Sequence, residues 1–161
     1  MMRSRSPWIL PLSLLIALLL ALLPVPPLLQ ALRPYWLALV MAYWVIEDPD
    51  RVGLGFAFLV GLVADLVMGS LFGEQALRLV VITYILQRFR ARLRFFPMSQ
   101  QALAIGALLL NDRIVTTAVH VALDEAVPTS VSWFSPLVGM LLWIPVFVLL
   151  DGLRMGGWRR R

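Results

Sequence analysis

Hydrophobic residues come in long unbroken runs here, separated by short polar punctuation, with neither the alternation of a half-buried strand nor the one-sided spacing of a surface helix. Runs of this kind predict helices that are apolar on every side, as membrane spans are. Six emerge, at about 8–29, 34–46, 53–72, 75–88, 101–123 and 136–151. Pro24, Pro26 and Pro27 make the turn after the first, because helices do not easily continue through proline. Arg33-Pro34-Tyr35-Trp36 opens the second: proline suits a first helical turn, and the aromatic pair suits the headgroup region. That span is short, so it is expected to recruit flanking residues or to thin the bilayer. Tyr43-Trp44 and the polar turn Glu47-Asp48-Pro49-Asp50-Arg51 close it. Arg78, in the first turn of the fourth span, is expected to snorkel to the interface. After the fourth span, arginine stands at alternate positions from Arg88 to Arg94, a segment readable as helix or as a basic surface loop. Residues 123–135 read as a loop, and Pro145 should kink the last span.

The third span carries the most information. Gly53, Ala57, Gly61, Asp65, Gly69 and Gly73 recur at every fourth residue, a stripe of small side chains interrupted by one carboxylate. In lipid, such a stripe lets another helix approach closely. Gly61, Asp65, Gly69 and Gly73 are therefore candidate helix-packing or partner-binding residues. A carboxylate at membrane depth costs a few kcal/mol, so Asp65 must face protein or a watery cavity.

Composition agrees with the pattern. Of 161 residues, 61% are hydrophobic, and no stretch is polar and long enough for a second, water-soluble domain. The formal net charge is +5, carried by arginine without any lysine. Clustering between apolar runs explains these arginines by topology and anionic lipid contact rather than by nucleic-acid binding. With six spans and a cytoplasmic N-terminus, Arg3, Arg5, Arg51, Arg88–Arg94 and the C-terminal tail all share the cytoplasmic side, leaving Arg33 and Arg78 near the other. The run after Arg3 and Arg5 could be a signal peptide, but it lacks a small-x-small cleavage site and is read as a retained span.

Candidate chemistry is sparse. There are no cysteines, and one histidine, so neither thiolate nor histidine-cluster metal sites are expected, and no cofactor is implied. Walker, zinc-protease and nucleophile-elbow motifs are missing. Asp65, Asp112, Arg113 and His120 form a candidate buried polar cluster, with Arg113 one possible counter-charge for Asp65. A transporter site, a catalytic aspartate pair and a purely structural network all use such ingredients; structure is the expected role, and no enzyme activity is expected.

Arg33-Pro34-Tyr35-Trp36, Tyr43-Trp44, Gly61-x-x-x-Asp65-Leu66-x-x-Gly69-Ser70-x-x-Gly73 and the arginine-rich tail after Trp143-x-Pro145 together resemble the bacterial rod shape-determining MreD family. The resemblance implies an all-α, polytopic inner-membrane protein of about six transmembrane helices, similar to the substrate-binding subunit of energy-coupling-factor transporters. It implies a non-enzymatic scaffold for lateral peptidoglycan synthesis, bound to an MreC-like membrane protein. Through that partner it would connect with MreB filaments, RodA and a penicillin-binding transpeptidase. Asn111-Asp112-Arg113 departs from the more apolar setting expected in the fifth span. The competing function is a vitamin-type binding subunit of a membrane transporter.

Overall fold

The computed structural model describes residues 7–155. Arg3, Arg5 and the tail beyond Met155, which contribute to the expected orientation, lie outside the described residues. The described chain is all helix and connecting loop, in the order α1 (Ile9–Leu22), α2 (Pro27–Gln30), α3 (Trp36–Glu47), α4 (Leu54–Met68), α5 (Glu74–Leu93), α6 (Met98–Ala122), a 3-10 turn (Ser130–Phe134) and α7 (Ser135–Arg154).

The six long helices follow the apolar runs, but several bounds differ from those expected. α1 stops at Leu22 rather than near 29: Pro24, Pro26 and Pro27 break it, and only the one-turn α2 resumes. Arg33 then reaches back, donating from Nη2 to the carbonyls of Leu20 (3.1 Å) and Leu23, which satisfies the open end of α1. α4 ends at Met68 rather than 72, because Gly69 turns left-handed with φ of 64°. α5 runs on to Leu93 instead of 88; Arg88 to Leu93 contains no glycine or proline, and arginine, alanine and leucine are good helix formers. α6 starts at Met98, immediately after Pro97, and the side chain of Gln101 donates to the Leu93 carbonyl at the end of α5 (2.8 Å). α7 begins at Ser135, ends at Arg154 and contains Pro145.

The middle of the molecule is α3. Every side chain from Leu37 to Ile46 is buried, with α1, α5 and α7 packed around it and α6 in lesser contact. α4 lies against α5, and α6 against α7. Twelve residues make α3 about 18 Å long, well short of a hydrocarbon core of about 30 Å. Short length is tolerable because neighbours sheathe it, so its ends are completed by protein rather than by water. Arg90 donates to the Ile46 carbonyl (3.0 Å), Gln87 to the Val52 carbonyl (3.2 Å), and Ser135 to the Arg33 carbonyl (2.7 Å).

Surface and interior are inverted relative to a water-soluble protein. Leu12, Leu59, Leu66, Leu103, Leu141 and Leu149 are all more than half exposed, whereas Asp65 and Asp112 retain only 2% and 3% of their surface. A continuous apolar exterior of this kind suits lipid. Met98–Ala122 and Ser130–Arg154 are long and apolar enough to cross a bilayer, and α1, α3 and α4 are shorter apolar helices. The protein is a helical membrane protein.

Candidate functional site: two closed polar networks

One network joins α3, α4, α5 and α6 at the end of the bundle where α5 begins. Its first part is the turn between α4 and α5. Asp65, in the last turn of α4, accepts from the Ser70 hydroxyl (2.8 Å) and the Gln75 backbone N–H (2.9 Å) on Oδ1, and from the Gly73 N–H (2.9 Å) on Oδ2. Gly73 and Gln75 are donors at the start of α5, so a carboxylate from the preceding helix occupies the place usually taken by a capping side chain. The positive end of the α5 dipole further favours a negative charge there. All three donors converge on the one carboxylate. Asp65 is thus a helix cap delivered from outside its helix.

Gln75 carries the network onward: its Oε1 accepts from the Tyr35 hydroxyl (2.6 Å) at the start of α3. The Tyr35 ring lies under the Arg78 guanidinium, 4.1 Å from carbon to ring centroid, a cation–π arrangement. Arg78 in turn donates to Asp112 in fork geometry, Nε to Oδ1 at 2.8 Å and Nη2 to Oδ2 at 2.6 Å. Glu74, one turn earlier on α5, stands 3.9 Å from Arg78 and 3.6 Å from His120 Nε2, while Glu125 is 3.5 Å from His120 Nδ1.

This geometry corrects two sequence expectations. Arg78 does not snorkel to the interface: its side chain is 11% exposed and is the counter-charge of Asp112. Asp65 does not pair with Arg113, since its acceptors are already filled by the α5 cap. Adjacent residues on a helix point about 100° apart, and that angle aims Asp112 at α5 while Arg113 turns away, half-buried and without a salt bridge among the described residues. Of the expected cluster, Asp112 and His120 join one network through Arg78 and Glu74, and Asp65 connects to it through Gln75 and Tyr35. Glu74 and Gln75 were not singled out, and Tyr35 was read as a headgroup-region aromatic rather than as a member of this network. The i,i+4 spacing of Glu74 and Arg78 was the available signal, since it puts both on one face of α5.

The glycine stripe also resolves into separate roles. Gly61 is the close-packing position: a Cβ there would lie 2.2 Å from the Ala76 Cα, so α4 and α5 meet backbone to backbone. Ala57 and Ala64 are fully buried with it. Gly69 and Gly73 lie past the helix, in the turn, with φ of 64° and 96°. They permit the left-handed backbone that brings Ser70, Gly73 and Gln75 onto Asp65. Open space surrounds the Cβ direction at Gly53, Gly69 and Gly73. The stripe is therefore one packing glycine and two turn glycines.

A second network, absent from the sequence reading, closes the opposite end between α1, α3 and α7. Arg154 pairs with Glu47 (2.9 Å) and Asp151 (3.2 Å), and the Tyr43 hydroxyl donates to Asp151 (3.2 Å). Trp44 Nε1 donates to Ser13 (2.9 Å), whose hydroxyl donates to the Leu10 carbonyl (2.8 Å). Tyr43, Phe147 and Trp143 stack edge to face or tilted beside it, with centroids 5.2 and 5.8 Å apart. Among the described residues no group of three or more carboxylate or histidine side chains is placed to hold a metal ion. What both networks do chemically is neutralise buried charge and tie helices distant in sequence.

No solved structure matches the chain. A curated relative, rod shape-determining protein MreD of Haemophilus influenzae, is 34% identical over 139 residues, spanning 86% of each chain. The family model for rod shape-determining protein MreD matches residues 2–153. The chain belongs to the MreD family of rod shape-determining proteins.

Proposed function

We propose that this protein is a non-enzymatic scaffold of the cell-elongation machinery, spanning the inner membrane six times with both termini in the cytoplasm. The observation that carries the reading is the division of labour in the bundle. Asp65, Arg78, Asp112, Glu47 and Arg154 are paired internally, and the surface left for other molecules is apolar helix face with exposed arginines at one end. A molecule so arranged acts by holding partners in the membrane. An MreC-like membrane protein is the direct partner, linking it to MreB filaments, RodA and a penicillin-binding transpeptidase, and so to lateral wall synthesis. The bundle would then be the counterpart of a six-helix energy-coupling-factor subunit turned to scaffolding.

Six spans follow from treating α1 and α3 to α7 as one crossing each. Arg51, Arg88, Arg90, Arg92, Arg94 and Arg154 then sit at one end, Arg33 and Arg78 at the other, which supports a cytoplasmic location for the first group. Depletion followed by microscopy tests the function: rod-shaped cells should round up, and persistent rods would refute the role. A C-terminal fluorescent-protein fusion should glow and a phosphatase fusion stay inactive; the reverse would overturn the orientation. Since Gly61 is spent inside the monomer, partner binding should be probed at exposed positions such as Leu59 or Leu141, by co-purification with the MreC-like protein.

A further inference from the structure

The arginine-bearing end of α5 and the middle of α6 border an open slot of about 460 Å³, within the range of small-ligand sites. Phe89 and Leu93 of α5 and Ala104, Ala107 and Leu108 of α6 give it apolar walls. Its polar lining is Arg92 and, deeper along α6, Asn111. Arg88 stands one turn before Arg92 on the same face of α5, and both are exposed. Arg90, by contrast, is committed to the Ile46 carbonyl. Helix α5 thus places two uncommitted guanidinium groups within its last two turns, at the rim of a groove that runs from the interface into the apolar bundle.

We propose that this slot is a specific site for an anionic phospholipid, one acyl chain lying between α5 and α6 and the phosphate held by Arg92 and Arg88. The inference rests on the membrane-spanning reading above and deepens it. Charge complementarity selects the occupant: a purely apolar groove would take any acyl chain or a partner helix, whereas cationic pockets between helices at the cytoplasmic face recruit anionic headgroups. Other apolar grooves, such as the one between α1 and α4 lined by Leu14, Leu37 and Leu59, have no charged lining.

Native mass spectrometry of the full chain in detergent micelles tests this, titrating phosphatidylglycerol against phosphatidylcholine of identical chains. Retention of phosphatidylglycerol should be favoured roughly tenfold, the order that one or two interfacial arginines provide. Arg88→Gln with Arg92→Gln should abolish the preference. Ala107→Trp, at an exposed position that reaches into the slot, should abolish retention while helicity by circular dichroism is unchanged. Arg94→Gln, outside the slot, should change neither. Glycerophosphoglycerol, the headgroup without chains, should fail to compete.

Equal effects of Arg94→Gln and Arg92→Gln, or full competition by the headgroup, would mean diffuse surface attraction and overturn the site. Absence of preference, with Ala107→Trp instead weakening co-purification of the MreC-like protein, would assign the slot to a partner helix. Either result leaves the membrane reading standing. A chain that does not enter micelles at all would overturn both.

Discussion

Replacement of Asp65 is the sharpest test of the polar architecture. Asp65→Ala removes the acceptor for two backbone N–H groups and one hydroxyl at the α4–α5 turn, the Gln75 bond buried and the other two part-buried. Hydrogen bonds to a charged acceptor contribute about 1.5–3 kcal/mol each, and an orphaned buried donor costs about 1–3 kcal/mol. The sum overstates the loss because the turn relaxes and the three bonds share one residue, so we expect about 3–5 kcal/mol. Asp65→Asn should cost less, about 2 kcal/mol. Its remaining carbonyl oxygen can stay where Oδ1 accepts from Gln75 and Ser70, but the amide nitrogen then faces the Gly73 N–H, donor against donor. Ser70→Ala, losing a single bond, should cost about 1 kcal/mol. Chemical unfolding in micelles, followed by tryptophan fluorescence, reads the series. Equal losses for Ser70→Ala and Asp65→Ala would refute the capping account. So would a strong energetic coupling between Asp65 and Arg113, which the geometry keeps apart.

The packing and pairing set the remaining outcomes. Gly61→Ala should destabilise by about 1–3 kcal/mol through overpacking against Ala76, and Gly61→Leu should reduce the yield of monodisperse protein on gel filtration; Gly69→Ala should cost about 1–2 kcal/mol through its positive φ alone. Asp112→Ala should cost about 3–5 kcal/mol by leaving Arg78 buried with only the more distant Glu74, and the double variant Arg78→Met/Asp112→Leu should recover most of it in the same unfolding assay. Arg154→Gln should cost about 1–3 kcal/mol by opening the Glu47–Asp151 end of α3 and α7; hydrogen exchange of the last turn of α3 should rise, and unchanged exchange would contradict the pairing.

The helices were legible because apolar runs and proline or glycine punctuation are local signals. Asp65 was legible too, since a carboxylate in an apolar helix demands an explanation. Its partners were not: Gly73 and Gln75 offer backbone N–H groups, which no residue pattern advertises. Asp112 and Arg78 are 34 positions apart: the 100° between neighbours ruled out Arg113 as its partner, but nothing local pointed to Arg78. The central place of α3 was hidden for a related reason. Its sequence is as apolar as its neighbours', and only the arrangement of the others around it makes it the core.

That central position has a consequence for how the chain is made. α3 is synthesised second among the long helices, yet the groups that complete it arrive later: Arg90 of α5 for its Ile46 carbonyl, then Ser135 for the chain just before it and Arg154 for Glu47 with α7. A nascent chain ending after α4 therefore carries a helix too short for the bilayer and an acidic end without its cation. Assembly must wait for α7, and quality control has a natural checkpoint in a protein whose first half is unfinished until its last helical turn is in place.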